Sequence, residues 1–486
     1  MHALDWGVLA LYGAVVLAIG WRGMRKKGGT NEYFRAGRRL PWWAVGLSII
    51  ATAFSAASLL GGPGEGFGHG FLWLQLQLGD LLGYALVCSI MIPVFVRLDI
   101  TTAYEYLERR FDPKTRVLGA ACFNLFVVSR LGALLFGAAL VLAEATGWSV
   151  GSAIIVVGVV CVFYTAAGGM EAVIWTDVLQ FAMILVGVGA ALAVLASSGL
   201  GDSWSAAAAA GRTQVFDFTW NPASIRSFPT AFFAYGILAF AVAGTNQQTV
   251  QRYVSLSSAT EARKAAMLGW AAGAIGVGAT LLLGVLLFGF YHNRPDALPA
   301  GLKPDRILAH FTMTQLPVGV AGIMVAAIFA AAMSSIDSAL HSLSTSIVVD
   351  FYRRFIKKSA PEAHYLRVAK GLIVVWGVLA IAAAFYVHAT GQALLPFLIK
   401  YTSYFLGPVL GLFLLGLLVP KAGGGMAFWS ALAAVVLLLL NVQLKVLSLP
   451  GIWNSAATVV LTLLIGMVAA AVNPQKAPEK KLLWRA

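Results

Sequence analysis

The chain has 486 residues, of which 59% are hydrophobic and 11% charged. Soluble globular proteins carry about 25% charged residues, so most of this chain belongs in lipid. The +14 net charge comes without any nucleic-acid module, so its basic residues read as topology signals facing anionic lipid rather than as a nucleic-acid surface.

Apolar windows of about 20 residues recur from end to end, each long enough to cross a hydrocarbon core of roughly 30 Å. Thirteen are predicted, over 4–21, 40–62, 70–96, 117–146, 150–166, 174–198, 228–251, 265–291, 316–349, 368–389, 392–418, 424–443 and 452–472. They lack the alternating polarity of barrel strands, and backbone amides in lipid must be satisfied within each segment, so the windows are helices. The expected fold class is an all-α polytopic membrane protein, with residues 1–486 forming a single transmembrane domain. Residues 199–227 and 292–315 read as long loops, and 473–486 as a short solvated tail.

The first window carries Asp5 rather than Lys or Arg at its start and precedes Arg22, Arg25, Lys26 and Lys27, the charge order of a retained helix rather than a signal peptide. Under that topology the cytoplasmic segments hold 26 Lys and Arg and the outer segments 6, with Arg130 and Lys400 left inside helices. The expected placement is a bacterial-type plasma (inner) membrane, N-terminus outside and C-terminus cytoplasmic. Cys88, Cys122 and Cys161 lie in apolar windows and read as small buried hydrophobes.

Two windows depart from uniform greasiness. Leu47 to Gly66 reads LSIIATAFSAASLLGGPGEG and Gly236 to Tyr253 reads GILAFAVAGTNQQTVQRY, both rich in small residues and both polar at membrane depth. Five windows apart, they fit the broken first helices of two inverted five-helix repeats, where unwinding frees carbonyls for a cation. Close packing through Gly and Ala is the alternative.

The ninth window contains AAMSSIDSALHSLSTSIVVDFYRR, placing Ser334, Ser335, Ser338, Ser342 and Ser346 on one helical face beside Asp337. A hydroxyl stripe with an intramembrane carboxylate points to a cation path. Serines that merely back-bond one turn earlier would explain one or two members of that stripe, not five.

At these residues the sequence resembles the sodium:solute symporter family. The pieces that carry the resemblance are TTAYEYLERRFD from Thr101, AAGGMEAVIWTDVLQ from Ala166, GTNQQTVQRYVS from Gly244 and AAAMSSIDSAL from Ala330. It implies two inverted five-helix repeats, residues 40–198 and 228–418, with an extra helix at 4–21 and two at 424–472. It also implies a co-transported sodium ion held by the carbonyls of Ala51, Phe54 and Ala331 and the hydroxyls of Ser334 and Ser335. Neutral oxygens suit a hard cation that must bind and leave. A second ion site, present in some members, would use Asp177, Asp337 and Ser338. For Asp177 the competing role is a helix N-terminal carboxylate at the cytoplasmic face.

For the solute, the stretch Ala239 to Thr245 (AFAVAGT) lacks the Tyr and Asn that the resemblance would require for a sugar. Polar candidates are Gln75, Gln77, Asp80 and Arg130. Arg130 falls near the arginine that sialic acid carriers of the family use as a carboxylate clamp, so the solute is expected to be an organic acid, sugar acid or amino acid. Pairing with Glu144, or snorkelling, is the alternative for Arg130. A sodium/sugar symporter, a proton-coupled symporter and a cation channel remain as other readings. No enzyme is expected: the sequence has no HExxH and its seven histidines do not cluster at metal-ligand spacing. Beyond solute and lipid, no obligate protein partner is implied.

Overall fold

The computed structural model describes every residue except 25–28, 391–393, 445, 447–448 and 485–486, and the regular elements among the described residues are helical throughout. In chain order the main helices are α1 (Ala3–Met24), α2 (Trp42–Ala53), α3 (Ala56–His69), α4 (Leu76–Leu86), α5 (Ile92–Leu98), α6 (Pro113–Thr146) and α7 (Val150–Ser197). There follow α8 (Tyr235–Thr245), α9 (Gln247–Tyr253), α10 (Ala259–His292), α11 (Val320–Ser346), α12 (Glu362–Thr390), α13 (Leu394–Leu418), α14 (Gly424–Leu444) and α15 (Trp453–Val472). Each apolar window coincides with one of these helices, with a pair of them in tandem, or with one arm of the kinked α7. Lys400 falls in α13, but its side chain lies outside the described residues, as do Arg25, Lys26 and Lys27.

Both windows singled out for their small residues break partway along their length. Between α2 and α3 the chain leaves helical geometry at Phe54 (φ −88°, ψ 82°) and Ser55 (φ −82°, ψ 170°). Between α8 and α9 it does so at Asn246 (φ −72°, ψ 118°), whose side chain then caps Gln248 N. The first break precedes the GGPG run, which continues inside α3. Those glycines serve packing instead. A β-carbon on Gly66 would lie 2.3 Å from the carbonyl oxygen of Leu281, and one on Gly284 would lie 2.1 Å from that of Pro63. Helices α3 and α10 therefore touch backbone to backbone. Gly284→Ala is expected to force them apart and cost about 1–3 kcal/mol, lowering the unfolding temperature in detergent. Gly425→Ala, where the added carbon meets open space, is the control; equal effects would sink this account.

One glycine sets a crossing. The stretch α7 is two helices that meet at a kink at Gly169 (φ 63°, ψ −167°), a conformation strained for other residues, and each arm serves one of the two windows. Helix α11 lies at the centre with nearly all its side chains buried, packed on α7, α6 and α1. Its start is capped from α1: Asp5 accepts from the amides of Gly319 (2.7 Å) and Gly322 (3.0 Å), where the helix dipole favours a carboxylate.

Three expectations change. The stretch 199–227 contains a helix, Leu200–Ala209, and 292–315 contains another, Ile307–Thr314, so neither is only loop. The tail folds back, with Leu482 buried and its carbonyl accepting from Tyr106 Oη at 3.1 Å. Arg252, counted above with the cytoplasmic charges, lies in α9 and is 2% exposed. Removing it leaves the charge bias intact.

Candidate functional site

Breaking α2 leaves its last carbonyls without intrahelical donors. The serine pair of α11 meets them: Ser334 Oγ donates to Ala51 O (2.8 Å) and Ala331 O (3.1 Å), and Ser335 Oγ donates to Thr52 O (3.0 Å) and more weakly to Ala331 O (3.4 Å). Phe54, at the break itself, is buried beside them. The five residues expected around an ion thus lie at one crossing of α11 with the broken helix. Thr52 joins them through its carbonyl, a position that sequence reading missed. Farther along the stripe the hydroxyls have other uses. Ser342 back-bonds to Ala339 O (3.1 Å), as the alternative reading held, and Ser346 donates to Asp350 Oδ2 (3.1 Å).

Directly below this crossing lies a buried charge cluster. Asp177 Oδ2 accepts from Ser48 Oγ (2.5 Å) and from Arg252 Nη2 (2.7 Å). The same Nη2 donates to Ser338 Oγ (2.6 Å), while Arg252 Nη1 donates to Gln248 O (2.6 Å). Ser338 Oγ reaches Thr52 Oγ1 (2.9 Å) and Asp337 Oδ1 (3.2 Å), and Tyr164 Oη donates to Asp337 Oδ2 (2.9 Å). Asp177 and Asp337 are both 0% exposed. The helix-terminus reading of Asp177 is therefore overturned: the residue is fully interior and its partner is a guanidinium. With both acids ionised, two carboxylates against one arginine leave the cluster with an excess negative charge, which a bound cation or proton would neutralise.

Arg252 was visible in the GTNQQTVQRYVS run but carried no role there. The signal that could have exposed it is its place within two turns of a helix break in an otherwise apolar window.

Above the crossing a cavity of about 270 Å³ extends from Phe54 to Ile225 and Ile452, on the loops that precede α8 and α15. Gln77, Asp80 and Arg130 line it, joined by Ser58, Trp73 and Tyr235. Gln75 does not. Its amide donates to Arg226 O, and its carbonyl accepts from Asp217 N at 3.4 Å, because the 3-10 turn 70–75 aims it at that loop. At the rim Arg226 grips Glu65 through Nε (3.1 Å) and Nη2 (2.9 Å).

Arg130 lies midway along α6, its guanidinium 5.1 Å from the ring centre of Phe126 and its Nε without a hydrogen-bond partner. Among the described residues it makes no ion pair. Glu144 is 14 positions farther along the same helix, about 21 Å at 1.5 Å per residue, so the two cannot pair within it. Snorkelling fails for the same reason: the side chain starts far from either helix end.

Residues 33–434 match the sodium:solute symporter family. The chain is 31% identical to the sodium/sialic acid symporter SiaT of Proteus mirabilis, with 90% of this chain and 89% of that one aligned. It is 30% identical to the human sodium/iodide cotransporter over 89% of this chain and 70% of that one. Among solved structures, a sodium-coupled sialic acid symporter in a substrate-bound, outward-open state superposes with a TM-score of 0.88 at 28% identity, covering 98% and 99% of the two chains. That structure is described as revealing a novel sodium site. A nucleobase–cation symporter shares the fold at a TM-score of 0.60 and 14% identity. With that match running through both broken helices, the serine stripe and the charge cluster, the chain belongs to the sodium:solute symporter family and is a multi-pass, sodium-coupled carrier of a small organic solute.

Proposed function

We propose that the co-transported solute carries a carboxylate and that Arg130 binds it. The observation that carries this reading is a guanidinium midway along α6, open to a solute-sized cavity, with its Nε buried and unpartnered and no acidic partner among the described residues. Placing an arginine at that depth costs about 3 kcal/mol or more, a cost that a bidentate carboxylate offsets during each cycle. Relatives named for sialic acid and for iodide are consistent with an anionic cargo.

In this reading sodium sits among the carbonyls of Ala51, Phe54 and Ala331 and the hydroxyls of Ser334 and Ser335. Asp177, Asp337 and Ser338 form a second cation position, for which a proton is the competing occupant because of the cluster's excess negative charge. The carrier functions in a bacterial-type plasma membrane with thirteen crossings, N-terminus outside and C-terminus cytoplasmic. Two inverted five-helix repeats, 40–198 and 228–418, do the transport without an obligate protein partner. The Lys and Arg bias and the relatives' bacterial source support that placement.

Sodium-dependent thermal stabilisation tests the solute. Sialic acid and simpler organic acids are each paired with the matching amide or alcohol. Acids are expected to stabilise the wild type selectively, and Arg130→Lys, which loses the planar fork, is expected to lose that preference by roughly tenfold or more in affinity. Equal binding of acid and amide would return the solute to a neutral sugar or polyol.

A further inference from the structure

The cavity holds a second charge that the carboxylate clamp does not use. Asp80 lies one helical turn beyond Gln77 on the same face of α4, and both line the cavity with Arg130. Among the described residues no hydrogen-bond donor and no cation reaches the Asp80 carboxylate, whose surroundings contribute only burial. A protein that needed this acid only for structure would have paired it, as it paired Glu65 with Arg226 at the rim and Asp177 with Arg252 below. Within one cavity at membrane depth, then, a guanidinium lacks an anion and a carboxylate lacks a cation. Their failure to pair with each other, although both border the same space, leaves both ends open to a ligand.

The remaining lining selects the type of cation. Trp73 and Tyr235 border the same space. Aromatic faces beside a carboxylate are the chemistry that recognises an ammonium group, by cation–π attraction together with charge pairing. A polyol would donate hydrogen bonds to Asp80 but leave its charge uncompensated in a low-dielectric site, whereas an ammonium neutralises it.

Building on the Arg130 reading, we infer that the solute is a zwitterion whose carboxylate docks on Arg130 and whose ammonium group docks on Asp80 between Trp73 and Tyr235. Asp80 is then the residue that separates amino acids and betaines from plain organic acids. Each proteinogenic amino acid, beside its deaminated acid and its amide, with glycine betaine added, is titrated against the full-length carrier in sodium, read by thermal stabilisation and by competition in proteoliposome uptake. At least one zwitterion is expected to bind roughly ten- to hundredfold more tightly than its deaminated acid, the range for a hydrogen-bonded charge pair. Asp80→Asn should remove that margin while leaving the acid-over-amide preference in place. If deaminated acids, or sialic acid, bind as well as every zwitterion, the role of Asp80 is overturned while the carboxylate clamp survives. If acids and amides bind alike, the clamp itself falls. Stabilisation of Asp80→Asn by sodium alone checks its folding; should it fail that check, the wild-type comparison of zwitterion with deaminated acid decides the matter by itself.

Discussion

Ser334→Ala/Ser335→Ala should abolish the sodium dependence of uptake while leaving the protein inserted and folded. Each hydroxyl lost from a cation's ligand set costs roughly 1–3 kcal/mol, so the pair should weaken sodium binding by roughly thirtyfold at the least. The two hydroxyls currently join α11 to the broken end of α2 through Ala51 O and Thr52 O. Alanine there removes both the proposed cation ligands and this bridge, and the effects can be separated. Unfolding temperature without sodium reports the bridge, and its rise on adding sodium reports the ligands. If the rise persists at wild-type sodium concentrations, the ion sits elsewhere.

Arg252→Gln is expected to destabilise the protein by about 3–5 kcal/mol, because it leaves Asp177 and Asp337 buried without their shared counter-charge. Adding Asp177→Asn should recover much of that loss, since a neutral pair needs no compensation. Thermal unfolding of the two single variants and the double variant measures the coupling; simple additivity would show that the pair does not act as a unit. The same variants address ion coupling. Asp177→Asn should lower the Hill coefficient for sodium in uptake if the cluster holds a second ion, whereas an unchanged coefficient would reduce Asp177 and Arg252 to a structural pair.

Much of this site could be read before the fold was in hand, for a physical reason. Helical periodicity places residues on a common face, so the stripe from Ser334 to Ser338 was apparent, and runs of small residues with polar groups marked the helices that break. Periodicity says nothing about which helices meet. Arg252 was therefore counted as a loop charge, although it spans from α9 to Asp177 on α7 and Ser338 on α11. Gln75 failed for a local reason: two residues before Gln77, it belongs to a 3-10 turn and faces the loop instead of the cavity. The Glu144 alternative for Arg130 could have been dropped from helix rise alone.

The docked tail has a practical consequence. Trp484 donates from its indole to Ser89 O (3.1 Å), between α4 and α5, and from its backbone to Leu417 O (3.3 Å) in α13, while Tyr106 holds Leu482. Residues 482–484 thus tie together segments far apart in the sequence, with Lys480 and Lys481 exposed beside the tie. If turnover draws those segments apart, trypsin should cut at the two lysines faster during transport, giving a label-free clock for the cycle. A bulky fusion joined just past Trp484 would pull on the same tie, so tagged and untagged protein should be timed side by side.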